Sequence, residues 1–156
     1  MGGEHNEGPK LEASMKVYDI MSSDVQLITP DDTIQAAAQK MADADVGFLP
    51  VGENDKLVGM VTDRDIALRA VARGKNPAST RVREIMTDKV LYCLEDEDVE
   101  EAADTMSHLK IRRLPIVDDD KRLVGVLSLG DIAFKHKAST AGTTLVHVCD
   151  PHGHVR

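Results

Sequence analysis

An internal repeat constrains this chain more than any other feature. "VYDIMSSDV" at Val17–Val25 recurs as "VREIMTDKV" at Val82–Val90, 65 residues further on. "DKLVGMVTDRDIA" at Asp55–Ala67 recurs as "DKRLVGVLSLGDIA" at Asp120–Ala133, where one inserted residue, Arg122, lengthens the offset to 66. Over Val17–Ala67, 18 of the 51 positions are identical in the second copy, Pro50 and its counterpart Pro115 among them. Chance does not produce that; a supersecondary unit has been used twice. A unit of about 55 residues buries too little surface to be secure alone, so the copies are expected to pack together.

Each copy reads as β-α-β-β-α, an α/β (α+β) unit. A short strand (Val25–Ile28, then Val90–Leu94) leads into an acidic stretch that suits the first turn of a helix. That helix places Ile34, Ala37, Ala38 and Met41 at i, i+3, i+4 and i+7, and Val99, Ala102, Ala103 and Met106 repeat the stripe. Two strands follow, Val46–Val51 and Leu57–Val61, joined by the polar turn "ENDK"; the second copy has Ile111–Val117 and Leu123–Leu127 around "DDDKR". A last helix starts near Thr62 or Ser128, and Gly74 ends the first of these. Its apolar residues Ile66, Ala67, Ala70 and Val71, with Leu68 and Ala72 beside them, make a face wider than one small sheet needs. It is expected to meet the sister copy and a second chain. The resulting layout is an extension over 1–14 expected to be disordered, repeat one over 15–73, a linker over 74–81, repeat two over 82–137, and a tail over 138–156 expected to be flexible.

Composition narrows the function. Aromatic residues are 3% of the chain, with no Trp, so the core must be aliphatic. A formal charge of −8 argues against nucleic-acid binding, which calls for a basic face. Two cysteines, Cys93 and Cys149, make no disulfide framework and suit a reducing compartment. The start of the chain is polar, with no apolar signal segment, and no apolar run approaches the roughly 18 residues of a membrane span. A cytoplasmic protein without a membrane partner is expected.

The segments "DIM…ITPDDTIQAAAQKMADADVGFLPV…LVGMVTDRDIA" and their second copy resemble the tandem CBS (cystathionine β-synthase) domain pair, or Bateman module, over roughly Met15–Lys137. The resemblance implies two repeats related by pseudo-two-fold symmetry, with clefts between their sheets. It implies adenosine-containing ligands there, AMP, ADP, ATP or S-adenosylmethionine, as regulatory ligands rather than required cofactors. It also implies homodimerisation through the modules, and a regulated protein partner. No catalytic domain accompanies the pair, so a stand-alone module is expected.

Thr62-x-x-Asp65 and Ser128-x-x-Asp131 carry two readings. The first is structural: a hydroxyl at a helix start with an acidic residue three positions on is a capping box. The second is functional: the Thr62 or Ser128 hydroxyl and nearby amides meet phosphate, while Asp65 or Asp131 accepts a ribose diol. The two are compatible. Between the paired residues, Arg64 can neutralise a phosphate, whereas Asp63 would oppose a polyphosphate; the second copy has Leu129 and Gly130. By the resemblance, the start of the middle strand lines the cleft. There Arg112 and Arg113 stand where the first copy has Gly47 and Phe48, and a guanidinium fork matches phosphate oxygens. Their alternative is a solvated basic patch. Gly47 would admit an adenine, with Val46 and Ile111 as apolar walls. Two sites of unequal affinity are expected.

The end of the chain holds His147, Cys149, His152 and His154, types that can hold zinc; a flexible end is the competing reading. Enzymatic activity is not expected, since there is no nucleophile–base pair, no phosphate-cradling glycine loop and no HExxH. The alternative to a ligand sensor is a ligand-free dimerisation scaffold.

Overall fold

The computed structural model describes residues 15–150; the expected extension over 1–14 lies outside the described residues. In chain order the elements are α1 (Val17–Ile20), α2 (Ile34–Ala44), β1 (Phe48–Glu53), β2 (Lys56–Thr62) and α3 (Asp63–Asp65). The helical path of α3 continues through a π stretch, Ile66–Ala70, and a 3-10 turn, Val71–Arg73. After a 3-10 turn at Val82–Glu84 come β3 (Cys93–Leu94), α4 (Val99–Leu109), β4 (Arg113–Val117), β5 (Leu123–Ser128), α5 (Leu129–Lys135) and α6 (Ala138–Cys149).

Both expected hairpins form. β1 pairs antiparallel with β2, and β4 with β5, each with a register shift one or two residues after its proline, Pro50 or Pro115. The expected opening strands largely do not. Val25–Ile28 contributes a single parallel bridge, Ile28 to Val51, and Val90–Leu94 shrinks to β3, parallel to Ile116 and Val117. The physical reason is that both segments carry the chain from one half to the other, which leaves only their last residues beside a strand.

That crossing is the organising feature of the fold. Val17 and Ile20, at the head of repeat one, are buried among Val99, Met106, Leu114 and Leu127 of repeat two. Val82 and Ile85, at the head of repeat two, are buried among Ile34, Leu49 and Val61 of repeat one. Matching backbone bonds fasten both crossings. Ser22 and Val126 exchange two hydrogen bonds of 2.9 Å, and Thr87 and Met60 exchange bonds of 2.8 and 2.9 Å. Each half therefore completes its aliphatic core with a segment of the other, as units too small to stand alone require.

Three further differences from expectation have local causes. The 138–156 segment is not a flexible tail throughout: Ala138–Cys149 is a helix. It lies along α4 and α5 with Ala141 and Thr144 buried, so its small residues permit close approach; residues 151–156 lie outside the described residues. Ala103 is consequently buried, whereas its counterpart Ala38, with no described helix packed over it, is exposed. Finally, the stripe expected after Thr62 is split. Ala70 is buried, but Ala67, Leu68 and Val71 are exposed. A π turn holds more residues than an α turn, so positions aligned at α spacing lose their alignment.

Candidate functional site

The two Thr/Ser-x-x-Asp motifs fold alike. Thr62 Oγ1 accepts from the Asp65 amide at 3.0 Å, and Asp65 Oδ2 accepts from the Thr62 amide at 3.0 Å. Ser128 and Asp131 make the same pair of bonds at the same distances. The capping reading is thus realised in both copies. The second oxygen of each aspartate faces a cation one turn on: Asp65 Oδ1 is 3.7 Å from Arg69, and Asp131 Oδ1 is 3.6 Å from Lys135. Those cations are half exposed, so they hold the carboxylates loosely.

Asp131 and Ser128 line a cleft of about 540 Å³ between the halves. Arg113 and Val46, both expected site residues, line it as well. Phe48, Pro50 and Val126 provide further apolar wall, and Gln26 and Ser22 enter from the crossing segment. Charged residues face the same space: Asp24, Asp43 and Lys40. Lys40 donates to the Leu27 carbonyl oxygen at 2.6 Å. A cleft of this size with an aromatic floor and a few polar groups suits a small organic ligand.

The other expected residues lie elsewhere. Thr62 and Asp65 occupy the corresponding position of repeat one and do not line this cleft. Arg64 is exposed, its amide bonded to Asp63 Oδ1 at 2.8 Å. Gly47 is covered by Asp63, whose Oδ2 would lie 2.7 Å from an added Cβ, so the space in front of it belongs to a carboxylate. Ile111 packs against the core of repeat two. Arg112 turns to α6, its Nη2 3.5 Å from Cys149 Sγ.

Sequence reasoning missed Phe48, Asp24, Lys40 and Asp43. Phe48 was legible as the aromatic residue next to Gly47; the charged three were not, because Asp24 reaches the cleft through a crossing that leaves no local pattern, and Lys40 and Asp43 read as the solvated face of α2. His147 Nδ1 lies 2.8 Å from the Thr143 carbonyl oxygen, and Cys149 is exposed. Among the described residues no group of three or more His, Cys, Asp or Glu is placed to hold a metal; His152 and His154 lie outside the described residues.

Two interlocked β-α-β-β-α halves with a ligand-sized cleft between them define a paired-repeat module. The CBS domain model matches residues 17–71 and again 82–136, and the chain belongs to the CBS domain family. The CBS domain-containing protein YhcV of Bacillus subtilis is 41% identical over 133 residues, covering 85% of this chain and 94% of that protein. Inosine-5'-monophosphate dehydrogenase of Methanocaldococcus jannaschii is 35% identical over 150 residues, 92% of this chain but 29% of that enzyme. Among solved structures, the CBS domain pair of protein MJ0100, in complex with 5'-methylthioadenosine and S-adenosyl-L-methionine, superposes with a TM-score of 0.69. It is 34% identical, over 78% of this chain and 94% of that one. No helix among the described residues is long and apolar enough to cross a membrane.

Proposed function

We infer that this protein is a non-catalytic cytoplasmic sensor that binds an adenosine-containing ligand in the cleft between its repeats. The observation that carries this reading is Asp131, which lines the cleft while one of its oxygens is held only by an exposed lysine 3.6 Å away. A ribose diol can take that oxygen without breaking the cap at Ser128. Phe48 and Val46 offer the adenine an apolar wall, and Arg113 reaches the same space from the other repeat. The MJ0100 pair, a relative by both sequence and fold, holds two adenosine derivatives. Thr62 and Asp65 form the related second site, with the unequal surroundings described above. A ligand shifts such a module only by its differential affinity for two shapes.

A homodimer accompanies this reading. Phe134 on α5 is 92% exposed, and its repeat counterpart Leu68 is 49% exposed. Large apolar side chains so placed suit burial against a second chain.

Thermal unfolding with 5'-methylthioadenosine, S-adenosylmethionine, AMP and ATP tests the reading. At a hundredfold excess over Kd, one of them should add about 2.7 kcal/mol of stability. Asp131→Asn should remove most of that gain without lowering the midpoint in buffer by more than a few degrees. A protein indifferent to all four ligands would leave the dimeric scaffold as the better reading.

A further inference from the structure

We propose that α6 of one copy docks on the uncovered helix face of repeat one in a second copy, the contact being made twice about a two-fold axis. The inference rests on the homodimer reading above and names the surfaces that form the dimer. α6 lies beyond the residues that the CBS domain model matches, 17–71 and 82–136. On α2, Gln35, Ala38, Gln39 and Ala42 stand at i, i+3, i+4 and i+7, all exposed and all uncharged. The charged residues of α2, Lys40 and Asp43, face the cleft instead. Ala67, Leu68 and Val71 are exposed on the helical stretch after Thr62, and add apolar surface to the same half.

Repeat two shows what covers such a face. There α6 spans α4 and α5, and the counterparts of the α2 stripe, Glu100, Ala103, Asp104 and Ser107, all line the groove beneath it. That seat carries two carboxylates, and α6 meets it with its polar side. Thr140 donates to Glu100 at 2.9 Å, and Thr143 and His147 line the same groove. In repeat one the corresponding seat, α2 with residues 66–73, has no described helix over it. Ala38 and Ala67 are exposed where Ala103 is buried and Ala133 half-buried. The outward side of α6 is of the other kind. Gly142, Leu145 and Val146 are exposed at i, i+3 and i+4, and Ala138–Cys149 contains no Asp, Glu, Lys or Arg. A seat with carboxylates has taken the polar side of the helix; the uncharged seat suits its apolar side. That side faces away from its own chain, so a second copy brings it to the repeat-one seat. Each copy then offers one stripe and one seat, so the pairing closes on itself and doubles the area buried. Leu68 and Phe134 fall into the same contact, Leu68 beside the seat and Phe134 on α5, against which α6 packs.

Sedimentation velocity of the full chain over a dilution series, with Ala38→Glu, Val146→Lys and the two combined, tests this. Both positions are exposed, so the fold tolerates either change, and the unfolding midpoint in buffer checks it. Gln39→Glu and Leu145→Lys replace any variant that unfolds early. The wild type should be a dimer, and each single change should weaken it at least about tenfold by burying an unpaired charge. The combined variant sets opposite charges against each other in both contacts and should recover most of that loss. Single changes that leave the dimer intact while Phe134→Glu splits it overturn the proposal and leave the homodimer standing. Weakening without recovery in the combined variant overturns it too. A wild-type monomer overturns both.

Discussion

Gly59 of the first repeat lies so close to Thr87 of the second that a Cβ built on it would stand 2.6 Å from the Thr87 carbonyl oxygen. Gly125 repeats the relationship, with the Ser22 carbonyl oxygen at 2.8 Å and Met21 Sδ at 2.6 Å. Both glycines sit at strand positions where the other half's leading segment docks by paired backbone bonds. The approach needs a bare Cα. This is why glycine stands in both copies of the motif, and it ties the cleft to the crossing, since Ser22 and Val126 both line it.

Gly59→Ala and Gly125→Ala should each destabilise the fold by about 1–3 kcal/mol, the usual range for overpacking. In a chain of this size that lowers the unfolding midpoint by roughly 2–4 °C per kcal/mol. Differential scanning calorimetry checks it. A neutral alanine at either position would mean the crossing segments do not dock as described.

α6 is fastened at its start by one carboxylate. Hydrogen bonds from His136 and Thr140, each 2.9 Å, hold the Glu100 carboxyl below the usual carboxylate range. A carboxyl whose pKa falls on folding stabilises the fold above its unfolded value, and the contribution fades as pH drops through the folded value. Glu100→Gln should therefore unfold at lower urea than wild type at neutral pH, and the two midpoints should converge as the pH falls through and below the usual carboxylate range. A gap that persists in acid would point to lost packing instead.

The two thiols should behave differently. Burial, with a hydrogen bond to Glu97, pushes Cys93 up to about 12, while Cys149 is exposed. At pH 8 in native conditions a disulfide reagent should react with one thiol per chain, and denaturant should release the second. Two fast thiols in the native protein would contradict the placement of β3 in the core.

Phe134→Glu tests the proposed self-association. Phe134 makes little contact within its own chain, being 92% exposed, so folding should be unaffected. Light scattering should report a dimer for wild type and a monomer for the variant. A wild-type monomer would remove the homodimer from the account.

Much of this architecture was legible in the sequence because it is local. Helix stripes such as Val99, Ala102, Ala103 and Met106, the hairpins around Pro50 and Pro115, and the caps at Thr62 and Ser128 each depend on neighbours a few residues away. The exchange of Val17 and Ile20 for Val82 and Ile85 was not legible. The two pairs are identical, Val with Val and Ile with Ile, so either core could take either pair. Much of the cleft was missed for a related reason: the crossing lays Asp24 beside the other half's strand, and so sets that half against the α2 face that carries Lys40 and Asp43. α6 was missed because "ASTAGTTLVHVC" lacks a marked apolar stripe, its buried contacts resting on Ala141 and Thr144. The motif itself was read in both ways, and its capping role is the one visible without a ligand.

A crystal structure of the protein with 5'-methylthioadenosine decides whether Asp131 receives the ribose. The ribose diol should lie on Asp131 Oδ1 within hydrogen-bond distance, about 2.5–3.0 Å. The adenine should lie against Phe48 and Val46, with the Ser128–Asp131 cap intact. A nucleoside bound away from the cleft, or a cleft left empty at saturating ligand with Asp131 still facing only Lys135, would contradict it.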